Sequence, residues 1–174
     1  MAGSITFLDL PRSAAPAALG GVFVLLAGLD LVRLRLPGAN RIFFRLFAAL
    51  ASPRERAGVA SSTWYALGLL LTVVLFPTGE AVSAILVLAL ADPMASVVGQ
   101  RLGRHPFLGG TVEGSVTFVV VAMAILVPRH PLPAAGGAAL VAALAERRGW
   151  PLDDNLAVPL VTGLTLAGTR LLLG

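Results

Sequence analysis

ADPMASVVGQRLGRHPFLGGTVEGS, residues 91–115, interrupts a chain that is otherwise strongly apolar. An isolated aspartate in the middle of a membrane span costs roughly 2.5–3.5 kcal/mol, so Asp92 calls for a purpose. Pro93 has no N–H and crowds the preceding turn, so the carbonyl of Ala89 should lose its helical partner and the helix should kink. Irregular backbone at membrane depth survives where it lines a cavity or is buried in protein. Asp92, Ala95, Ser96, Gly99 and Gly103 recur at helical spacing, which makes one small and polar face. The loop from Gln100 to Gly110 follows with two arginines and three glycines, Gly103, Gly109 and Gly110. Backbone N–H groups beside glycine approach phosphate closely, and arginine grips it with two donors. An ordinary basic loop at a membrane surface reads the same way. Thr111, Glu113 and Ser115 then open the next apolar run, a pattern that suits either helix capping or an anion at a helix N-terminus.

The composition around this stretch is that of a membrane protein. Of 174 residues, 57% are hydrophobic and 13% charged, against about 25% charged in soluble domains. Cysteine is absent, which excludes disulfides and zinc–thiolate centres. All 13 basic residues are arginine, so neither a Walker A loop nor a protein-kinase fold, each of which needs a lysine, fits the chain. Any phosphate must be held by arginine, backbone N–H groups or metal.

An all-α polytopic bundle of about six transmembrane helices is expected, with spans over residues 17–36, 61–76, 80–103, 111–127, 134–145 and 156–173. The third span is expected to be broken at Asp92-Pro93. Residues 1–16 are expected to form an N-terminal tail without a cleavable signal, and 17–174 a single transmembrane catalytic domain. Asp30 and Arg33 lie on one helical face and suit a local ion pair. The segment 37–58 mixes bulky apolar residues with arginine, as an amphipathic helix in the headgroup layer does. Ala and Gly dominate the fifth span, which suits close helix packing.

Six spans put ten arginines on one side (Arg33, Arg35, Arg41, Arg45, Arg54, Arg56, Arg101, Arg104, Arg147 and Arg148) and leave three, Arg12, Arg129 and Arg170, on the other. The arginine-rich loops are therefore expected in the cytoplasm of a cell inner membrane, with both termini outside. That topology gathers Glu55, Glu113, Glu146, Asp153 and Asp154 near one face, with Asp92 below them. Asp153-Asp154-Asn155 precedes the last span. Those residues suit an N-cap, and equally a hard-cation ligand set. A glycine-rich loop, arginines and several acids on one face suggest metal-assisted phosphoryl or nucleotidyl transfer.

ADPMASVVGQRLGR followed by TVEGS resembles the signature of the CTP-dependent lipid-alcohol kinases (dolichol kinase, phytol kinase and the CTP-dependent diacylglycerol kinase). Their pattern reads as G-D-x-x-A-S-x-x-G-x-x-x-G and then K-[ST]-x-E-G-S. LDDNLAVPL, residues 152–160, is similar to their D-N-L-x-x-P block, and Arg54-Glu55 to an upstream Arg/Glu stretch. Ala91 stands where the family has glycine, and Gly110 where it has lysine, which leaves Arg101 and Arg104 as candidate replacements. The resemblance implies transfer of the γ-phosphoryl group of CTP, or another nucleoside triphosphate, to a polyprenol, a phytol-like prenol or diacylglycerol. It implies Asp92 and Glu113 as catalytic residues, and Asp92, Glu113, Asp153 and Asp154 as ligands of Mg²⁺ or Mn²⁺. Ser96, Arg101, Arg104, Thr111, Ser115 and Asn155 would lie near the nucleotide, with Arg54 and Glu55 in support. The partners implied are a lipid alcohol, a nucleotide and membrane lipids, with no nucleic acid; homo-oligomerisation is left open. Alternatives are a CDP-lipid-forming cytidylyltransferase, and a non-catalytic small transporter or lipid-binding bundle.

Overall fold

A computed structural model describes residues 14–47, 53–147 and 152–173, with the backbone alone for Pro53, Arg54 and Leu173. The helices are α1 (Ala14–Arg35), α2 (Pro37–Leu46), α3 (Ser61–Leu75), α4 (Thr78–Leu86), α5 (Asp92–Leu102), α6 (Val112–Leu126), α7 (Leu132–Arg147) and α8 (Asp154–Leu173). A short 3-10 turn, Pro53–Arg56, leads into α3. Residues 1–13 of the expected N-terminal tail lie outside the described residues. Its last residues, Ala14 to Pro16, are the first turn of α1, where proline costs no helical hydrogen bond.

Six helical stretches stand where six spans were expected. Three are long and apolar enough to cross a membrane: Ala14–Arg35, Thr78–Leu102 and Asp154–Leu172. The others, α3, α6 and α7, have 15, 15 and 16 residues. At 1.5 Å per residue they reach about 22–24 Å, short of a bilayer core of about 30 Å. The outward surface is apolar, with Leu25, Val120, Leu140, Leu164 and Leu171 all exposed. Hydroxyls within the helices turn back onto their own backbone, as Thr72 does to Gly68 O and Thr162 to Val158 O, both at 2.7 Å. A helix in hydrocarbon must satisfy its polar groups in this internal way.

The core is built from small residues. Ala135, Ala138, Ala139 and Ala142 of α7 are fully buried, and α7 packs along α8 and against α6. Without side-chain bulk, backbones approach closely and dispersion contacts accumulate. Glycine does the same between α3 and α8. A Cβ on Gly68 would overlap the carbonyl oxygen of Asn155, and one on Gly163 would lie 2.5 Å from Phe76 Cε2. Pro159, inside α8, has no N–H to offer the Asn155 carbonyl, and this carbonyl is the one that leans on Gly68. These two contacts put α3 and α8 side by side and parallel. Glu80, at the start of α4, pairs at 3.0 Å with Arg170 near the end of α8, so α4 runs against α8.

The expected break at Asp92-Pro93 takes another form. Residues Val87–Ala91 make a π-helical turn, and the helix continues through it from Thr78 to Leu102. The wider turn accommodates the carbonyl that Pro93 leaves without a donor. The chain beyond α5 is also more regular than a loop. Pro106–Phe107 (β1) pairs antiparallel with Gly110–Thr111 (β2), so the bundle is not purely α. The hairpin turns through Leu108 (φ 43°) and Gly109 (φ 81°), the paired positive φ values of a type I′ turn.

Candidate functional site

The ion pair expected within α1 is the centre of a larger network. Asp30 binds Arg33, and its second oxygen accepts from Ala60 N at 2.9 Å and Thr63 Oγ1 at 2.7 Å. It therefore caps α3 from another helix. Arg33 donates to Glu55 O and Gly58 O, both at 2.7 Å, and stacks 4.8 Å from the Phe43 ring centroid. The Glu55 carboxylate accepts from Ser61 Oγ at 2.8 Å. Glu55 thus serves the junction of α1, α2 and α3. The side chain of Arg54 lies outside the described residues. Beside this junction, an apolar groove of about 620 Å³ runs between α1 and α2.

The stretch from Asp92 to Ser115 folds onto itself. Gly99 of α5 and Gly103 just past its end receive Thr111, whose Cγ2 would lie 2.5 Å from a Cβ on Gly103. The small face of α5 is therefore filled from within by β2 and the start of α6, with Ala95 fully buried. Ser96 is exposed and accepts from Gln100 Nε2 at 3.0 Å. Thr111 caps α6 by accepting from Gly114 N at 3.1 Å, and Ser115 turns back to Thr111 O at 3.2 Å. Glu113 closes the hairpin onto the helix through His105 Nδ1 at 2.7 Å. Arg101 and Arg104 are exposed.

At the start of α8 the expected capping pattern is present. Asn155 N donates to Asp153 Oδ1 at 3.1 Å and to Asp154 Oδ1 at 2.8 Å, and Asn155 Nδ2 donates to Asp153 Oδ1 at 2.7 Å. Asp92 is half-buried within electrostatic reach of Asp153 and of Arg147 from the end of α7. Glu146 lies within reach of Asp92, Asp154 and Arg147. Asp92, Asp153, Asp154, Glu146 and Arg147 thus gather at one end of the bundle. Glu113 stands apart from them with His105. Among the described residues, no three acids or histidines come close enough to hold a metal ion by themselves.

Arg147 and Glu146 were not singled out among the candidate site residues, because a charged pair ending an apolar helix reads as an ordinary surface terminus. In the fold both side chains are about nine-tenths buried. Arg147 Nε lies 2.8 Å from Glu146 Oε2, within ion-pair distance, yet neither atom has an aligned hydrogen bond among the described residues. The signal in the sequence was Gly110, whose meaning depends on what lies opposite it.

Taken together, this is a helical protein with an apolar outward surface and an acid-and-arginine cluster at one end. No protein-family model matches the chain, and no solved structure does. Among curated proteins it is 28% identical to an uncharacterised protein of Rickettsia prowazekii, over 68% of this chain and 60% of the relative. It is 26% identical to CTP-dependent diacylglycerol kinase 1 of Schizosaccharomyces pombe, over 79% of this chain and 72% of the relative. It is 30% identical to the protein of the same name from Eremothecium gossypii, over 65% of this chain but 37% of the relative. The chain spans between 37% and 72% of these relatives' own lengths, and two of the three are lipid kinases by name.

Proposed function

We propose that this chain is a membrane kinase that transfers the γ-phosphoryl group of CTP, or another nucleoside triphosphate, to a lipid alcohol. The observation that carries this reading is the gathering of Asp92, Asp153, Asp154, Glu146 and Arg147 at one end of an otherwise apolar bundle. The names of the yeast relatives favour diacylglycerol over a prenol as the acceptor. Six crossings, with the ten-arginine side in the cytoplasm and the termini outside, bring water-soluble nucleotide and membrane lipid to this end together.

The two substrates arrive by different routes, and the acids divide accordingly. Asp92 sits within a span, at a depth that a lipid hydroxyl reaches, and its carboxylate is suited to accept a hydrogen bond from that hydroxyl and hold it in line. Asp153 and Asp154 sit at the start of α8, where a nucleotide arrives from water. Hard carboxylate oxygens suit Mg²⁺ or Mn²⁺, which takes one or two protein carboxylates and fills its remaining positions with phosphate and water. Asp153 and Asp154 fit that requirement, whereas Glu113 is engaged by His105. A bound ion would supply charge neutralisation to the transferred group. The chain's own contribution is positioning, which is most of what phosphoryl transfer asks of a protein.

The test is turnover by purified protein in detergent with CTP, Mg²⁺ and either diacylglycerol or mixed prenols. Phosphorylated lipid and CDP are expected, and pyrophosphate release would point to a cytidylyltransferase instead. Asp92→Asn should abolish turnover with little loss of folded protein. Near-normal activity in that variant would overturn the role given to Asp92.

A further inference from the structure

Gly110 and Gly114 are glycines for a reason that their backbones do not supply. Among the described residues, Gly109 is the glycine with positive φ. Gly110 lies in β2 and Gly114 in the first turns of α6, where any residue fits the backbone. What a side chain at either position would meet is Arg147. A Cβ on Gly110 would overlap Arg147 Nη1 and lie 2.5 Å from Cζ, and one on Gly114 would lie 2.6 Å from Nη2. Ala95 O, at 3.0 Å from the same Gly114 position, closes the other side. The two glycines form a bed in which the guanidinium fills the space of both missing side chains at the mouth of α6, with Nη1 foremost at Gly110.

This placement is costly without a function. The Arg147 side chain is 11% exposed, and its Nε has no aligned hydrogen bond among the described residues. A buried arginine should use its five donors, since unmet donors lose their hydration with nothing in return. Glu146 and Asp92 supply charge nearby, but their fields do not account for a guanidinium seated in the side-chain space of two glycines at a helix N-terminus. A planar guanidinium in such a place is matched to the paired oxygens of a phosphate.

We infer that Arg147 is the phosphate-gripping cation of the nucleotide site, delivered from the end of α7 across the bed of Gly110 and Gly114. The inference rests on the kinase reading and deepens it. It moves the task from Arg101 and Arg104, which are exposed near the end of α5, to a residue on another helix. It also accounts for Gly110: with the guanidinium lying over position 110, a long cationic side chain from that position has no room.

The test is CTP and inorganic triphosphate binding to the full chain in detergent, read by equilibrium titration and by the thermal shift that each ligand produces. Arg147→Gln should weaken both ligands by at least tenfold and remove the CTP-induced shift. Arg147→Lys should keep part of each. Gly110→Lys alone should also lose binding, since the new side chain displaces the guanidinium. The swap Gly110→Lys with Arg147→Ala restores a cation to the same space, and should regain the CTP-induced shift. Should Arg147→Gln not fold, the swap decides, because a folded swap without a CTP-induced shift overturns the inference. Unchanged CTP binding in Arg147→Gln, with wild-type turnover intact, overturns this inference and leaves the kinase reading standing. A wild-type protein that binds neither ligand and turns over no nucleotide overturns both.

Discussion

Asp30→Ala isolates the network that joins α1 to α3. The wild-type carboxylate serves three donors: Arg33 Nε, Ala60 N and Thr63 Oγ1. Both members of the ion pair are buried, Asp30 at 5% and Arg33 at 4% exposure. The substitution removes one hydrogen bond from the N-terminus of α3 and one from Thr63, each to a charged acceptor and worth about 1.5–3 kcal/mol. It also strands the Arg33 charge, and breaking a buried pair by removing one partner costs about 3–5 kcal/mol. These losses overlap, because Arg33 keeps its bonds to Glu55 O and Gly58 O. The stranded charge sets the scale, so the expected loss is about 3–5 kcal/mol, or at least a hundredfold in the folded-to-unfolded ratio. Reversible denaturation in mixed micelles, followed by tryptophan fluorescence, measures it directly. Trp64 sits in the first turn of α3, beside the break. A loss below 1 kcal/mol would refute the reasoning. So would a large change in the KM for CTP of the fraction that remains folded, since this network lies apart from the acid cluster.

Gly163→Ala should cost about 1–3 kcal/mol by overpacking against Phe76. Adding Phe76→Leu should return part of that loss in a double-mutant cycle, and additivity of the two changes would contradict the contact. Leu108→Asn should stabilise the hairpin by roughly 0.5–1 kcal/mol, because asparagine tolerates the positive φ that leucine is forced to adopt. A lower melting temperature would count against the type I′ assignment. Burial holds His130 below its ordinary 6.5, with Glu80 acting upward and Arg129 downward. A histidine with a depressed folded pKa contributes stability above 6.5 that is lost as pH falls through the folded value. His130→Gln should therefore flatten the acid side of the stability–pH curve, and a steeper curve would reverse the assignment.

Helix positions were legible in the chain because hydropathy alone sets them. The expected span 61–76 differs from α3 by a residue at one end, and 111–127 from α6 by a residue at each end. The caps at Thr111 and Asp153 were legible too, since capping is local. Three features were not. The π turn depends on how a freed carbonyl is absorbed by neighbours, and hydropathy is blind to that. The Asp30 network joins residues 30 positions apart, so it reads in sequence as a short-range pair and nothing more. Arg147 over Gly110 is the plainest case. A missing side chain and a buried guanidinium are each unremarkable alone, and they acquire meaning only when α7 is folded against β2. Glu113 shows the converse, a residue whose place in a sequence pattern suggested the acid cluster while its geometry gives it to His105.

The π turn at Val87–Ala91 has a consequence for how the site is aimed. A helix that spends five residues on one turn carries one more than regular winding uses, and each residue of an α-helix advances the azimuth by about 100°. Everything after Ala91 is therefore rotated by about that amount from where regular winding of Thr78–Leu86 would have put it. Removing a single residue, such as the outward-facing Leu90, would let regular winding resume with Asp92 still turned toward Arg147 and Asp153, whereas winding all of Val87–Ala91 as ordinary α-helix would swing it away while leaving the apolar half of the span in place. The position of that carboxylate is in this sense a matter of phase: the chain reaches its site by a one-residue slip in an otherwise ordinary membrane helix.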